Sequence, residues 1–208
     1  MSHRASAALL ALSFIAGSMA SLVLAALVLL GVHHPRTVLG VYSLFRLLIV
    51  TPLAVLGGLI ALAVLDTRFK VAAVLFVIGV LISGLLNLHG LATNYHISFL
   101  AWLLPDDPKV MISLARVYFL IMLVSLPLLA YGLGGGMKGA IASFALITLF
   151  LVIRIAVLRV IEADSLRVVL SINYFIGFTV SLLLALVFAW IAYKGPLRVG
   201  EGRTYGYD

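Results

Sequence analysis

Apolar runs recur along this chain from end to end, and each is long enough to cross a hydrocarbon core. Such a core is about 30 Å thick and takes about 20 helical residues to span. The sequence is 64% hydrophobic and only 10% charged over 208 residues, far from the charge of a soluble domain. Backbone polar groups must be satisfied internally in lipid, so the spans are expected to be helices. The alternating pattern of a membrane β-barrel is absent. The expected fold is therefore all-α: a polytopic membrane bundle of about six transmembrane helices.

The spans read as Ala7 to Val32, Leu39 to Leu65, Val71 to Ala92, Val110 to Leu133, Gly139 to Ile161 and Val168 to Tyr193. They form one domain, residues 1–193, followed by a polar, glycine-rich tail, 194–208. Such a tail is disordered alone, and a partner subunit is the simplest thing to hold it. The start of the chain imitates a signal peptide, but its apolar stretch is too long for a typical h-region and reads as an uncleaved first helix. Between the third and fourth spans, Ile97 to Leu104 is apolar but too short to cross, and with Trp102 it reads as an interfacial or re-entrant segment. Gly134, Gly135 and Gly136 follow a helix and lack a phosphate-loop Lys-Ser/Thr, so they read as a C-cap and turn.

The formal net charge is +7. Its basic residues are scattered over short loops, helix ends and the tail, which suits anionic lipid or an acidic partner subunit rather than nucleic acid. With both termini on one face, Arg4, Arg68, Lys70, Lys138, Lys194, Arg198 and Arg203 share that face. The positive-inside rule then puts both termini in the cytoplasm. Cysteine is absent, which excludes disulfides and thiolate metal sites. Glutamine is absent and asparagine scarce, a depletion that fits a thermophilic source as well as a lipid-facing chain.

Three arginines, Arg46, Arg116 and Arg154, lie inside apolar spans, about two turns from the face that carries the polar connections. An arginine at the centre of a span costs about 2.5–3.5 kcal/mol on an insertion scale. At shallower depth the long side chain can snorkel to lipid phosphate. Three at one depth can instead frame a basic pocket for haem propionates, a quinone carbonyl, a lipid phosphate or an acidic residue of another subunit. His33, His34, His89, His96, Asn87 and Asn173 fall toward the same face. His34 with His89 is the pair to consider for a b-type haem. The four histidines with Asp106 or Asp107 are weak candidates for a metal, set against simple interfacial hydrogen bonding. Asn87 suits a quinone or an interhelical hydrogen bond.

Pro52 and Pro127 sit mid-span, where each removes a helix hydrogen bond. Thr51 and Ser125 are placed to re-satisfy the freed carbonyls. Ser43-Leu44-Phe45-Arg46 and Ser113-Leu114-Ala115-Arg116 open two spans alike, and each is followed by a hydroxyl and a proline. This is weak internal symmetry of a kind some transporters show.

No nucleophile–base pair is visible, and no acidic residue lies within a span. A proton- or cation-coupled pump normally keeps one there. The reading is an integral membrane subunit of a multi-subunit complex, respiratory or otherwise electron-transferring, that anchors partners and frames a haem or quinone site. The alternatives are a small-anion transporter or substrate-binding membrane component, and a purely structural scaffold. Catalysis by the chain alone is not expected; a non-catalytic place in a membrane oxidoreductase is.

Overall fold

The computed structural model describes residues 2–31, 35–95, 107–160 and 166–194, and all of its regular structure is helical. Helix α1 is His3–Leu29. Helix α2, Pro35–Phe45, runs through a π-helical turn, Arg46–Val50, into α3, Thr51–Val64. Helix α4 is Thr67–Tyr95 and α5 is Pro108–Ala130. A second π-helical turn, Tyr131–Gly135, leads into α6, Gly136–Val160, and α7 is Leu166–Lys194. The expected interfacial segment, Ile97 to Leu104, and the tail beyond Lys194 lie outside the described residues.

Local chemistry sets these boundaries. Ser2 caps α1, its Oγ accepting from the Ala5 N–H at 3.4 Å. Gly31 ends that helix at φ 69°, a left-handed conformation that glycine adopts without steric cost. Asp107 caps α5 by accepting from the Lys109 N–H at 2.9 Å. Pro108 takes the first helical position, where no N–H is needed.

Five helical stretches are long and apolar enough to cross a membrane, so the chain is an all-helical, multi-pass membrane protein. One of them, Lys109–Ile153, is 45 residues long and is not a straight rod. The backbone leaves helical geometry at Gly134 (φ 111°) and again at Gly136 (φ 56°). Phe119 and Phe150, equally far on either side of this break, bring their rings together, with centroids 5.9 Å apart. The chain therefore reverses there, and α6 packs back along α5.

The surface is apolar: Leu48 is 67% exposed and Leu120 64%, with many aliphatic neighbours. The buried polar side chains among the described residues are all serines. Lipid is as apolar as leucine, so close packing and interhelical hydrogen bonds must hold such helices together. The Ser6 hydroxyl donates to the Gly57 carbonyl across α1 and α3 at 2.8 Å, and Ser171 to the Ala25 carbonyl across α7 and α1 at 3.2 Å.

Contacts run α1 to α3, α3 to α4, α4 to α5, α5 to α6, α6 to α7, and α7 back to α1, closing a ring. One end of the ring is solid. Leu10 of α1, Ala61 of α3, Ala73 and Phe76 of α4, Leu129 of α5 and Phe188 of α7 are all 2% exposed or less. That end also carries the N-terminus of α1 and the C-terminus of α7. The other half of the ring is hollow.

Candidate ligand cavity around Arg46

The hollow is a cavity of about 440 Å³ to which α1, α2, α3, α4, α5, α6 and α7 all contribute, within the range of small-molecule sites. Its composition changes with depth. Toward the C-terminal end of α4 and the N-terminal ends of α5 and α7 lie Ser21, Tyr42, Arg46, Asn87, Tyr118 and Asn173. Toward the packed end lie Phe76, Val80, Met122, Leu126, Val180 and Leu184. The hydroxyls of Ser13 and Ser181 also line the cavity, so the charge and the amides gather at one end while the other is mainly apolar.

Arg46 reaches it because of the first π-helical turn. Pro52 has no N–H to continue an α-helical ladder. The Thr51 N–H bonds instead to the Arg46 carbonyl, five residues back, which is the π register. An α-helix overshoots a full turn by about 40° every four residues. Tyr42 and Ala54 of a plain helix would diverge by roughly 120°. The wider turn takes back part of that drift, and Tyr42, Arg46, Val50 and Ala54 all line the cavity.

The guanidinium is held in place. Arg46 Nη1 donates to the Tyr42 hydroxyl at 3.2 Å, with its carbon 5.6 Å from the Tyr42 ring centre. Tyr42 and Ser21 oxygens lie 3.4 Å apart, and the Ser21 hydroxyl donates to the Gly17 carbonyl at 3.0 Å. The Tyr42 proton is therefore the one shared with Ser21. The chain of donors runs from Arg46 through Tyr42 and Ser21 to a backbone carbonyl. Tyr118 lines the cavity beside the same guanidinium. A guanidinium has five N–H groups, so donors remain for a ligand. None of the described residues that line the cavity is acidic.

Two amides share this polar end. Asn87 Nδ2 donates to the Ser83 carbonyl at 2.7 Å. Asn173 Oδ1 is buried with no hydrogen-bond partner. Beside it, the Tyr174 ring meets Tyr42 edge-on, with centroids 5.9 Å apart.

The structure thus brings Arg46, Asn87 and Asn173 together and leaves other expected residues apart. On α5 the cavity stripe is Ala115, Tyr118, Phe119, Met122 and Leu126. Arg116 is one position off it and exposed, in a row with the exposed Ile112, Leu120 and Val124. His89 follows Asn87 by two positions, about 200° around the helix, and is half-buried outside the cavity lining. Arg154 lies on α6, but its side chain is outside the described residues, as are His33, His34 and His96. Among the described residues, no group of three or more His, Cys, Asp or Glu gathers as a metal site. No histidine is among the described residues of the cavity wall.

Three tyrosines of the site, Tyr42, Tyr118 and Tyr174, were not singled out as binding residues from the sequence. Tyr42 had a legible signal: it precedes Arg46 by four residues, the spacing at which helix side chains meet. Neighbours gathered from distant helices, such as Tyr118, leave no such trace. Ser125 does not act as its position next to Pro127 suggested, because its Oγ is buried without a partner. Comparisons with known proteins found no matching family model, no matching curated protein and no matching solved structure.

Proposed function

We propose that this chain is a ligand-binding membrane component that takes up a small anionic or strongly hydrogen-bond-accepting molecule in the Arg46 cavity. The observation that carries this is a guanidinium fixed by Tyr42 beside a cavity of about 440 Å³, with no carboxylate among the described residues that line it. A charge held away from water without a counter-ion is costly, and an incoming anion would supply one. α5 and α6 count as separate crossings here, which makes six and puts both termini on one face, cytoplasmic by the charge of that face. The cavity then lies in the half of the bilayer away from the cytoplasm.

The test is native mass spectrometry of the purified protein beside its Arg46→Leu variant. A small molecule retained by the first and lost by the second supports the reading; an empty cavity in both overturns it. The crossing count is separately testable. The chain has no cysteine, so single cysteines at Lys138 and Asp106 would report opposite sides to a membrane-impermeant thiol reagent.

A second reading is favoured by Arg116, exposed in an otherwise apolar outer row. That placement suits an acidic residue of a partner subunit. The chain would then belong to a larger membrane assembly, in an electron-transfer role if the occupant is a quinone. A quinone carbonyl would accept from Arg46 and its ring would lie among Tyr42, Tyr118 and Phe119. Solvent extraction of the purified complex decides this: a redox-active quinone at one per chain supports it, and its absence removes the electron-transfer role.

A further inference from the structure

We infer that the cavity's ligand is a singly charged amphiphile, with its anionic oxygen head at Arg46 and its apolar body directed toward the packed end of the bundle. This rests on the ligand-binding reading above and deepens it. The charge follows from counting: Arg46 is the one charged residue among the described residues that line the cavity. A monoanion neutralises it, whereas a dianion would leave a net charge in a low-dielectric site. An oxyacid head also matches the planar guanidinium fork.

The orientation follows from the depth gradient. Tyr42, Asn87, Tyr118 and Asn173 surround the head end, while Met122, Leu126, Val180 and Leu184 form the far wall. Leu126 and Leu184 also belong to the packed core, so the apolar end of the cavity is closed by protein rather than by lipid. Asn173 Oδ1, buried without a partner, sits at the head end. It supplies a further polar contact for a hydroxyl on the ligand or for a water carried in with it. A free carboxylic acid and a lipid phosphodiester both satisfy this description, since each is a monoanion on an apolar body.

The experiment measures binding of decanoate, decanol, inorganic phosphate and dioctanoyl phosphatidylglycerol to the purified full chain by native mass spectrometry. Decanoate is expected to bind about a hundredfold more tightly than decanol, a ratio worth about 2.8 kcal/mol, with no binding of inorganic phosphate. Arg46→Leu should remove the preference, and Arg46→Lys should keep part of it. Tyr42→Phe, which keeps the ring and deletes the hydroxyl, should weaken decanoate several-fold and so guards against misfolding of the leucine variant. A decanoate with a photoreactive group at its far end should cross-link to α5 and α7 near Leu126 and Leu184.

Preference for the phosphatidylglycerol over decanoate would identify the source as lipid; the reverse would identify a free acid. Either result supports the inference. Equal binding of decanol and decanoate, or cross-links near Tyr42 instead, would overturn the monoanion and its orientation while leaving a ligand-binding cavity. Failure of every probe, together with an empty purified protein, would defeat the underlying reading as well.

Discussion

The two halves of the bundle differ most plainly at their glycines. In the solid half a methyl group has no room at several glycines, Gly139 with its nearest atom at 3.6 Å being an exception. A Cβ on Gly58 would come within 2.6 Å of the Val77 side chain, and one on Gly135 within 2.6 Å of the Ala130 carbonyl oxygen. In the hollow half the nearest atom to such a Cβ is 3.7 Å away at Gly17, 3.5 Å at Gly84 and 3.8 Å at Gly177. Tightness returns at Gly79, where a Cβ would come within 2.7 Å of the Met122 side chain, and near the rim, where Gly40 faces the Tyr95 ring. Where lipid removes the hydrophobic drive, stability must come from close contact. The solid half supplies it, so the hollow half can carry a guanidinium and two amides that do little for the fold.

The widest separation of the two halves should appear on adding a single methyl. Gly135→Ala puts a carbon against backbone that cannot swing aside, and overpacking of this kind costs about 1–3 kcal/mol. A loss of about 3 kcal/mol is expected in thermal unfolding of the detergent-solubilised protein. Gly84→Ala should move the other way. It meets only ordinary contacts and gains helix propensity of up to about 1 kcal/mol. If both substitutions destabilise equally, the hollow half is as tightly packed as the solid one and the contrast fails.

Pro52→Ala tests whether the π-helical turn aims Arg46. Restoring an N–H at position 52 lets α-helical hydrogen bonding resume. Removing the extra residue of the wide turn would rotate Arg46 by about 100° relative to α3. Ligand retention should fall about tenfold, or about 1.4 kcal/mol, with little change in melting temperature. Pro127→Ala, remote from the guanidinium, should leave retention unchanged. An equal effect of both would mean that proline acts on packing generally rather than on the aim of Arg46.

These contrasts also show what could be read from residues alone. Helix positions were legible because apolar run length is a strong, local signal. The fifth span, expected from Gly139 to Ile161, corresponds to α6 at Gly136–Val160. The break before it was visible in Gly134 to Gly136, two of which take positive φ. Arg46 and Asn87 were legible as candidates by depth, because depth follows from counting along a span. The face a residue presents did not follow. Arg46 and Arg116 open similar segments, yet a π-helical turn follows Arg46 directly while α5 continues unbroken past Arg116. A π turn depends on where a proline's freed groups find partners, which is settled by tertiary packing.

A smaller difference separates two buried serines. Ser6 and Ser143 are both fully buried, but Ser6 donates to the Gly57 carbonyl while Ser143 Oγ has no partner. Ser6→Ala should cost about 1 kcal/mol, the worth of one interhelical hydrogen bond. Ser143→Ala should be neutral or slightly stabilising, because it removes a buried hydroxyl that no bond compensates. A cost for Ser143→Ala equal to that for Ser6→Ala would reveal a partner for its hydroxyl.

The least effect is expected at Arg116, and it sharpens the comparison with Arg46 most directly. Both are arginines set about two turns into a span, but Arg116 lies in an outer row with Ile112, Leu120 and Val124. Leucine there continues the row and removes the insertion cost of a charge. Arg116→Leu should therefore change thermal stability by less than about 0.5 kcal/mol, as surface substitutions usually do, and leave ligand retention intact. Retention lost in both arginine variants would mean that charge at this depth matters wherever it points. Loss of a co-purifying subunit, with retention intact, would assign the outer arginine to a protein contact and leave the inner one to the cavity.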